Sequence, residues 1–176
     1  MSKLAIPVTA KDHTQGPSTA PTTLVEYGDY QCPSCGEAYP LIKKLQHHFG
    51  DKLRFVFRNF PLDMHPNAEH AAETAEFAAA HNKFWEMHDH LFEHQTNLTD
   101  ASLLKLATQL KLPAADLTTA LEKHTYAAHV KSDLDGGIKS GVTGTPMFYI
   151  NGQLYDDAYD YDTLLAAILD AIPAAQ

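Results

Sequence analysis

The sequence predicts an α/β fold in which an all-helical segment interrupts a small sheet. Patterns of a strand, a helix and a second strand follow one another between residues 22 and 60, only helical patterns occur from 63 to 140, and strand patterns return near residue 147 before a final helix. We therefore expect a main domain of residues 22–62 and 141–176, an inserted helical subdomain of residues 63–140, and a flexible leader of residues 1–21. At 176 residues the chain has the size of one domain with an insertion.

A strand, a helix and a second strand open the main domain. Thr22–Tyr27 is rich in β-branched and aromatic residues and predicts a buried strand. Cys32 then stands at the position of a helix N-cap, and Pro33 takes the first helical position, where its missing N–H costs nothing. Apolar residues recur at helical spacing as far as Gly50, after which Leu53–Phe60 alternates apolar and polar side chains. This order predicts a βαβ unit with a right-handed crossover.

The remaining elements follow from similar local patterns. The leader, rich in Pro, Thr, Ser, Gly and Ala, predicts at most a short edge strand around residues 6–8. Helical patterns fill the insert over residues 66–80, 84–93, 100–110 and one longer helix from 113 onward. Met147–Ile150, Asn151-Gly152 and Gln153–Tyr155 predict a hairpin, and a final helix begins near Tyr161.

The charge and hydropathy of the chain exclude several classes of function. Its net charge is −9, and no run of basic residues is longer than Lys43-Lys44, so we expect no binding to nucleic acid. No apolar run approaches the roughly 18 residues of a membrane span, so membrane insertion is not expected. The first residues lack a secretory signal pattern, which predicts a cytoplasmic protein. An exported protein that has lost its signal would look similar, and this alternative stays open.

The two cysteines of the chain, Cys32 and Cys35, indicate redox chemistry. A disulfide between them would close so short a loop that it would stabilise the fold by only about 2 kcal/mol. A redox pair needs one thiol with a lowered pKa and a second thiol that can attack the resulting mixed disulfide. Cys32 lies at the predicted helix start, where free N–H groups and the helix dipole favour a thiolate. We therefore expect Cys32 to attack and Cys35, on the same helix face, to resolve.

Metal binding and an inert thiol pair are the alternatives to redox chemistry. A structural zinc site needs about four ligands, and no second cysteine pair or compact histidine pair follows Cys35. Among the eleven histidines, His88, His90 and His94 share one predicted helix, and His90 and His94 stand four residues apart. No H-E-x-x-H signature accompanies them, so we interpret them as solvated helix surface. The sequence therefore predicts neither a metal site nor a bound cofactor.

A family resemblance supports the redox interpretation. The stretch Val25–Cys35 resembles the active site of the thioredoxin superfamily, and specifically that of the DsbA-like thiol-disulfide oxidoreductases. Further segments are similar to that family in the same order, namely Phe57–Leu62, His65-Pro66, Lys83–His88 and Gly141–Pro146. The resemblance implies a thioredoxin fold with an inserted all-helical subdomain. It also implies a monomer that exchanges disulfides with protein or peptide thiols and with an unidentified redox partner.

The same resemblance implies a substrate-binding set of Thr145, Pro146, Pro33 and Ser34. Pro146 matches the family's cis-proline, which lies beside the cysteines and leaves the preceding backbone open to pair with an extended substrate peptide. The Thr145 hydroxyl is placed where it could reach the Cys32 sulfur or the substrate, and an ordinary turn residue is the alternative. Ser34 departs from the strongest oxidants of the family, which commonly carry His there. Because a hydroxyl offers only a neutral donor, we expect a less acidic Cys32 and a less oxidising pair than in those oxidants.

Glu26 completes the candidate site. It lies six residues before Cys32 on an otherwise apolar strand, where a buried carboxylate has a raised pKa and can accept the Cys35 proton during resolution. A glutamate that turns to solvent at the strand end is the alternative.

The direction of net electron flow stays open, so a reductase or isomerase with the same fold remains an alternative to an oxidase. A non-enzymatic module that uses both thiols to bind a metal or a partner is the rival from another class.

Overall fold

The computed structural model describes residues 2–173, which form a mixed five-stranded sheet and seven helices. The strands are β1 His13–Gln15, β2 Thr22–Gly28, β3 Leu53–Asn59, β4 Met147–Ile150 and β5 Gln153–Tyr155. The helices are α1 Pro33–Phe49, α2 Ala68–Ala80, α3 Phe84–Glu93, α4 Asp100–Gln109, α5 Ala114–Glu122, α6 Ala127–Ser140 and α7 Tyr161–Ala171. The predicted α/β fold is therefore confirmed.

The strand β2 lies at the centre of the sheet. The strand order is β1-β3-β2-β4-β5, in which β2 pairs in parallel with β3 and antiparallel with β4. Six of its seven residues are buried, since both of its faces are covered by other parts of the chain. A continuous apolar core runs from this sheet through α1 into the helices of the insert. The strand that leads to the cysteines is thus held on both edges.

Helix α1 begins where the sequence predicts it. Cys32 is the N-cap, with an extended backbone at φ −71° and ψ 122°, and Pro33 opens the helix. One face of the helix packs into the core, since the buried residues recur every three or four positions as Cys35, Ala38, Ile42, Leu45 and Phe49. Gly50 ends the helix with φ +51°, a value that favours glycine. Packing of this face fixes the helix start, and with it Cys32, against the sheet.

Helices α2 to α6 form the insert between β3 and β4. The single longer helix expected after residue 113 is wrong, since the chain forms two helices, α5 and α6. His124 lies between them with φ +49°, in the left-handed region that interrupts a right-handed helix. Large apolar side chains hold the insert together, among them the fully buried Met87, Leu91, Leu103 and Leu117.

The leader contacts the sheet at several points. The strand expected around residues 6–8 is instead found at His13–Gln15, where it pairs with β3. At residues 6 and 7 the backbone carbonyls accept hydrogen bonds from the Arg58 guanidinium, so they do not enter the ladder. Arg58 also forms an ion pair with Asp12 at 2.7 Å. A buried guanidinium with several donors therefore fastens the segment that sequence patterns leave without structure.

None of the helices within residues 2–173 has both the length and the apolar character that crossing a bilayer requires.

Candidate active site

The two cysteines lie at the start of α1 as free thiols in different surroundings. Cys32 retains 6% of its exposure, whereas Cys35 is fully buried at 0%. The two residues between them face outward, since Pro33 is exposed and Ser34 is half-buried. A substrate can therefore approach the Cys32 side of the motif but not Cys35 directly.

The Cys32 thiol is strongly acidified. Its pKa falls to about 5, chiefly because the Cys35 side chain donates a hydrogen bond to its sulfur. The Thr145 side chain and the backbone N–H groups of Cys35 and Ser34 lower the pKa further, while burial opposes them. The backbone donors are the free amides at a helix N-terminus, as the sequence predicts. Cys32 is therefore the sulfur that is ionised at neutral pH.

Alkylation at mildly acidic pH measures this acidification. At pH 6 a thiol with a pKa of about 5 is roughly 90% ionised, against about 0.3% for free cysteine. The lower nucleophilicity of a more acidic thiolate offsets part of this gain, so we expect Cys32 to react with iodoacetamide about tenfold faster than free cysteine. Quenched time points followed by peptide mass spectrometry give the two rates. Equal rates at pH 6 would contradict the acidification.

The loop before β4 lies against Cys32. The Thr145–Pro146 peptide bond is cis, and the Cys32 thiol donates a hydrogen bond to the Thr145 carbonyl with a sulfur–oxygen distance of 3.4 Å. The Thr145 hydroxyl, expected to reach the sulfur, is buried and makes no hydrogen bond of standard geometry to any described residue. It lies close enough to favour the thiolate, but the carbonyl is the atom that contacts the thiol directly.

Cys35 has the opposite character from Cys32. Burial raises its pKa far above that of an ordinary thiol, and its hydrogen bond to Cys32 and the charge of Glu26 raise it further. The backbone N–H of Asp29 donates to the Cys35 sulfur at 3.4 Å and opposes this rise only in part. Cys35 consequently stays protonated until a nearby group removes its proton.

Glu26 is a buried carboxyl group whose charge acts on Cys35. Its side chain is 2% exposed on β2, so the alternative in which it turns to solvent is wrong. Burial first, and the negative charge of Cys32 second, raise its pKa to about 8. Its Oε1 atom accepts no hydrogen bond within residues 2–173. An added Cβ at Gly28 would stand 3.1 Å from that oxygen and 2.5 Å from the Phe57 ring, so glycine leaves room for the carboxylate.

Sequence reasoning misses a buried carboxylate beneath the motif. The Asp29 side chain accepts hydrogen bonds from His65 Nδ1 at 2.7 Å, from the Leu62 amide at 2.9 Å and from the Gln31 amide at 2.7 Å. Its own amide holds the Cys35 sulfur. Asp29 therefore ties the turn before Cys32 to the start of the insert. Asp29 stands three residues before Cys32 in the sequence, but no local pattern distinguishes it from an ordinary turn residue.

Gln95 is the second residue that sequence reasoning misses. Its side-chain amide donates to the carbonyls of Tyr30 at 2.9 Å and Cys32 at 2.6 Å. Gly36 allows this approach, because a Cβ there would lie 2.2 Å from the Gln95 side-chain oxygen. No local signal marks Gln95, which reaches the motif from a position more than 60 residues further along the chain. The insert thus holds the active-site turn in place.

The histidines of α3 do not share one environment. His88 is 3% exposed and hydrogen-bonded to the Tyr30 hydroxyl at 3.0 Å, so its assignment to the solvated surface is wrong. Burial keeps the pKa of His88 well below its usual value, and the ring is neutral. His90 is half-buried on α3, and His94, which follows the helix, is exposed. The buried ring reflects the apolar neighbours at helical spacing, Phe84, Leu91 and Phe92.

Comparison with known proteins places this geometry in a family. The thioredoxin family model matches residues 8–170. BdbD from Bacillus subtilis, solved in its oxidised form, is 29% identical with a TM-score of 0.88, and the match covers 97% of this chain and 98% of BdbD. A thioredoxin-like oxidoreductase from Silicibacter pomeroyi shares the fold at 24% identity and a TM-score of 0.83, with 95% of each chain covered.

The chain is also similar in sequence to part of a protein of a different kind. The chain is 41% identical over 175 residues to the Na(+)/H(+) antiporter NhaA 3 of Salinispora tropica. This match covers 98% of the chain but only 27% of the antiporter. The part shared with the antiporter is therefore about a quarter of that protein. The family match over most of the chain, together with the likeness to BdbD, shows that this chain belongs to the thioredoxin family and has its DsbA-like fold.

Proposed function

We propose that this protein is a thiol-disulfide oxidoreductase that exchanges disulfides with protein or peptide thiols through Cys32 and Cys35. The difference between the two sulfurs carries the proposal. Cys32 has a pKa of about 5, while Cys35 is buried with a strongly raised pKa. A pair of this kind assigns attack to one sulfur and resolution to the other. An inert or purely structural pair needs no such difference.

The proposed exchange is a two-electron transfer between two dithiol–disulfide pairs. In the reducing direction the Cys32 thiolate attacks a substrate disulfide, one substrate thiolate leaves, and a mixed disulfide forms. Cys35 then loses its proton and attacks the Cys32 sulfur, which releases the second substrate thiolate and leaves the Cys32–Cys35 disulfide. In the oxidising direction the same steps run backwards, and Cys32 departs readily because its thiolate is stable.

Glu26 is the proposed proton carrier for Cys35. Both groups are buried, and the charge of the Glu26 carboxylate raises the pKa of the Cys35 thiol, as expected for neighbouring groups. With a pKa of about 8, Glu26 exchanges protons close to neutral pH, whereas water has no access to the fully buried sulfur. Glu26 accepts the proton when Cys35 attacks and returns it when Cys35 leaves.

Replacing Glu26 by glutamine should slow resolution more than attack. We expect resolution of the mixed disulfide to fall about 100-fold, because general-base assistance is lost while the shape of the side chain is kept. Single-turnover reaction with a peptide disulfide, quenched by acid and followed by mass spectrometry, separates the two steps. Glu37→Gln, on the exposed side of α1, is the matched control and should leave both rates unchanged. Equal slowing of attack and resolution by Glu26→Gln would reject the proton-carrier role.

The rim around Cys32 is the proposed substrate-binding surface. Thr145 and Pro146 are half-buried beside the Cys32 sulfur, and Pro33 and Ser34 reach solvent on its other side. The backbone before Pro146 is available to an extended peptide that pairs with it as an added strand. Because such pairing uses main-chain groups, it accepts peptides of many sequences. This suits exchange with protein substrates in general.

The reduction potential decides the direction of exchange. A lowered Cys32 pKa stabilises the reduced form and makes the pair more oxidising, but Ser34 supplies only a neutral donor. We propose a potential between those of thioredoxin, about −270 mV, and of DsbA, about −120 mV. Equilibration with glutathione buffers and alkylation of the remaining thiols gives the value. A potential at the thioredoxin end would instead favour the reductase or isomerase.

Ion transport is outside the proposal because the antiporter match spans only 27% of that protein.

Transfer of a disulfide to a reduced protein tests the proposal directly. The oxidised protein is mixed with an unfolded protein that carries two thiols. At successive times both proteins are alkylated, and their masses are measured by mass spectrometry. We expect one disulfide to appear in the substrate for each dithiol formed at Cys32 and Cys35. The Cys32→Ser/Cys35→Ser double variant is the control. If wild-type protein transfers disulfides in neither direction faster than this variant, the proposed function is wrong.

A further inference from the structure

A second cluster of chemically active side chains lies in the helical insert. His70, Glu73 and His124 each place one ligand atom within 4.8 Å of those of the other two. His70 and Glu73 stand three residues apart on α2 and so share one face of that helix. His124 comes from the turn between α5 and α6. None of the three takes part in the thiol chemistry proposed above.

Glu73 has an incomplete set of partners. Its side chain is 0% exposed, and its Oε1 atom accepts a hydrogen bond from His124 Nδ1 at 3.0 Å. Its Oε2 atom is buried and has no hydrogen-bond partner in the part of the chain that the structure describes. A buried carboxylate with an unused oxygen is costly, because nothing replaces the water it has lost. A cation bound at this carboxylate would remove that cost.

His70 is held in an orientation that suits a metal ligand. Its Nδ1 donates to the Asp100 carboxylate at 2.6 Å, so Nε2 is the ring nitrogen that carries a free lone pair. A carboxylate that fixes the tautomer of a ligating histidine in this way is a recurring feature of metal sites. His70 and Asp100 also line an open cavity of about 130 Å³, so the His70 side of the cluster faces solvent-accessible space.

In a second cluster of the molecule, both oxygens of the buried carboxylate have hydrogen-bond partners. His13, Glu76 and His129 also lie within 4.8 Å of one another. There, however, both Glu76 oxygens lie 2.9 Å from His13 Nε2, and Asn59 Nδ2 donates to one of them at 2.8 Å. The Glu76 carboxylate is therefore satisfied by side chains alone. The Glu73 cluster is the one that a bound ion would complete.

We propose that His70, Glu73 and His124 bind a divalent transition-metal ion of the Zn²⁺ class, and that the proton which His124 now donates to Glu73 is released to solvent when the ion binds. Two imidazole nitrogens and one carboxylate oxygen are ligands that Zn²⁺ accepts, whereas Mg²⁺ and Ca²⁺ prefer oxygen ligands throughout. Three protein ligands leave the fourth tetrahedral position to water. Asp100 acts as a positioning residue for His70. The ion links α2 to the turn between α5 and α6, and these two segments are far apart in the chain.

Zinc titration of the oxidised protein tests this site. In the disulfide form the two cysteines are not zinc ligands, so the result does not depend on the proposed redox function. After removal of metals with EDTA, and then of EDTA itself, calorimetry measures Zn²⁺ affinity at micromolar concentration. We expect His70→Ala and His124→Ala each to weaken binding at least tenfold, since each removes a ligand. Asp100→Asn should weaken binding by about 10- to 100-fold although it removes no proposed ligand.

Two control variants distinguish this cluster from its neighbours. His94→Ala alters the surface trio of His90, Glu93 and His94, and His129→Ala alters the Glu76 cluster. Both should keep wild-type affinity for Zn²⁺ at the Glu73 site. Loss of binding in His129→Ala but not in His124→Ala would overturn the assignment. So would wild-type protein that binds no Zn²⁺ at micromolar concentration, or titrations of His70→Ala and His124→Ala that superimpose on wild type. His70 and His124 are partly exposed, so these variants should fold, and circular dichroism checks this.

Discussion

Replacement of Cys32 by serine should abolish disulfide exchange, whereas replacement of Cys35 should trap the protein bound to its substrate. Cys32 is the ionised sulfur, with a pKa of about 5, and a serine hydroxyl at that position cannot form a disulfide. Without Cys35 the first attack still occurs, but no second thiol is present to break the mixed disulfide. Cys35→Ser also removes the side chain that contributes most to the low pKa of Cys32, so its attack should be slower than in wild type.

Non-reducing gel electrophoresis with a substrate that carries one disulfide gives a direct comparison of the two variants. We expect an adduct of enzyme and substrate to accumulate with Cys35→Ser and to disappear when dithiothreitol is added. With Cys32→Ser no adduct should form at neutral pH, because the remaining thiol is fully buried and protonated. The roles of the two cysteines are assigned wrongly if Cys32→Ser forms the adduct and Cys35→Ser does not.

Replacement of Glu26 by glutamine should stabilise the protein at neutral pH and leave it unchanged near pH 4. Burial raises the pKa of Glu26 from 4.5 to about 8. Between these values the unfolded chain has released the proton while the folded protein still holds it, so the folded state binds more protons and its stability falls as the pH rises. The loss is absent well below pH 4.5 and reaches at most roughly 3 kcal/mol at pH 7, since the pKa of about 8 reflects the charge of Cys32 as well as burial. Glutamine carries no ionisable proton and escapes this loss.

Urea unfolding of wild type and Glu26→Gln between pH 4 and pH 8 measures this difference. Both proteins are used in the disulfide form, so that the charge of the Cys32 thiolate does not contribute and burial alone acts on Glu26. The two curves of unfolding free energy against pH should diverge above about pH 4.5, with the variant the more stable. Glu37→Gln, on the exposed side of α1, should follow wild type. Parallel curves for wild type and Glu26→Gln would show that Glu26 is not a buried acid with a raised pKa.

Local patterns predict the elements of the main domain closely. Pro33 marks the first turn of α1 and Gly50 its end, since both residues restrict or permit backbone angles without help from distant contacts. The same local reasoning fails where a long-range contact replaces a pattern. The leader forms a strand at His13–Gln15 and not at residues 6–8, because the Arg58 guanidinium donates hydrogen bonds to the carbonyls of Ile6 and Pro7. His88 is buried because Tyr30 and neighbouring rings surround it.

The sequence by itself determined the α/β fold class, the pair of cysteines at the start of a helix and the resemblance to the DsbA-like family, since each depends on residues close together in the chain. Only the tertiary structure decided that the Thr145 carbonyl contacts Cys32, that Asp29 and Gln95 hold the active-site turn, and that His70, Glu73 and His124 meet. The physical reason is that backbone preferences act over a few neighbours, whereas burial and hydrogen bonding depend on packing between segments far apart in the chain, 113 residues in the case of Cys32 and Thr145.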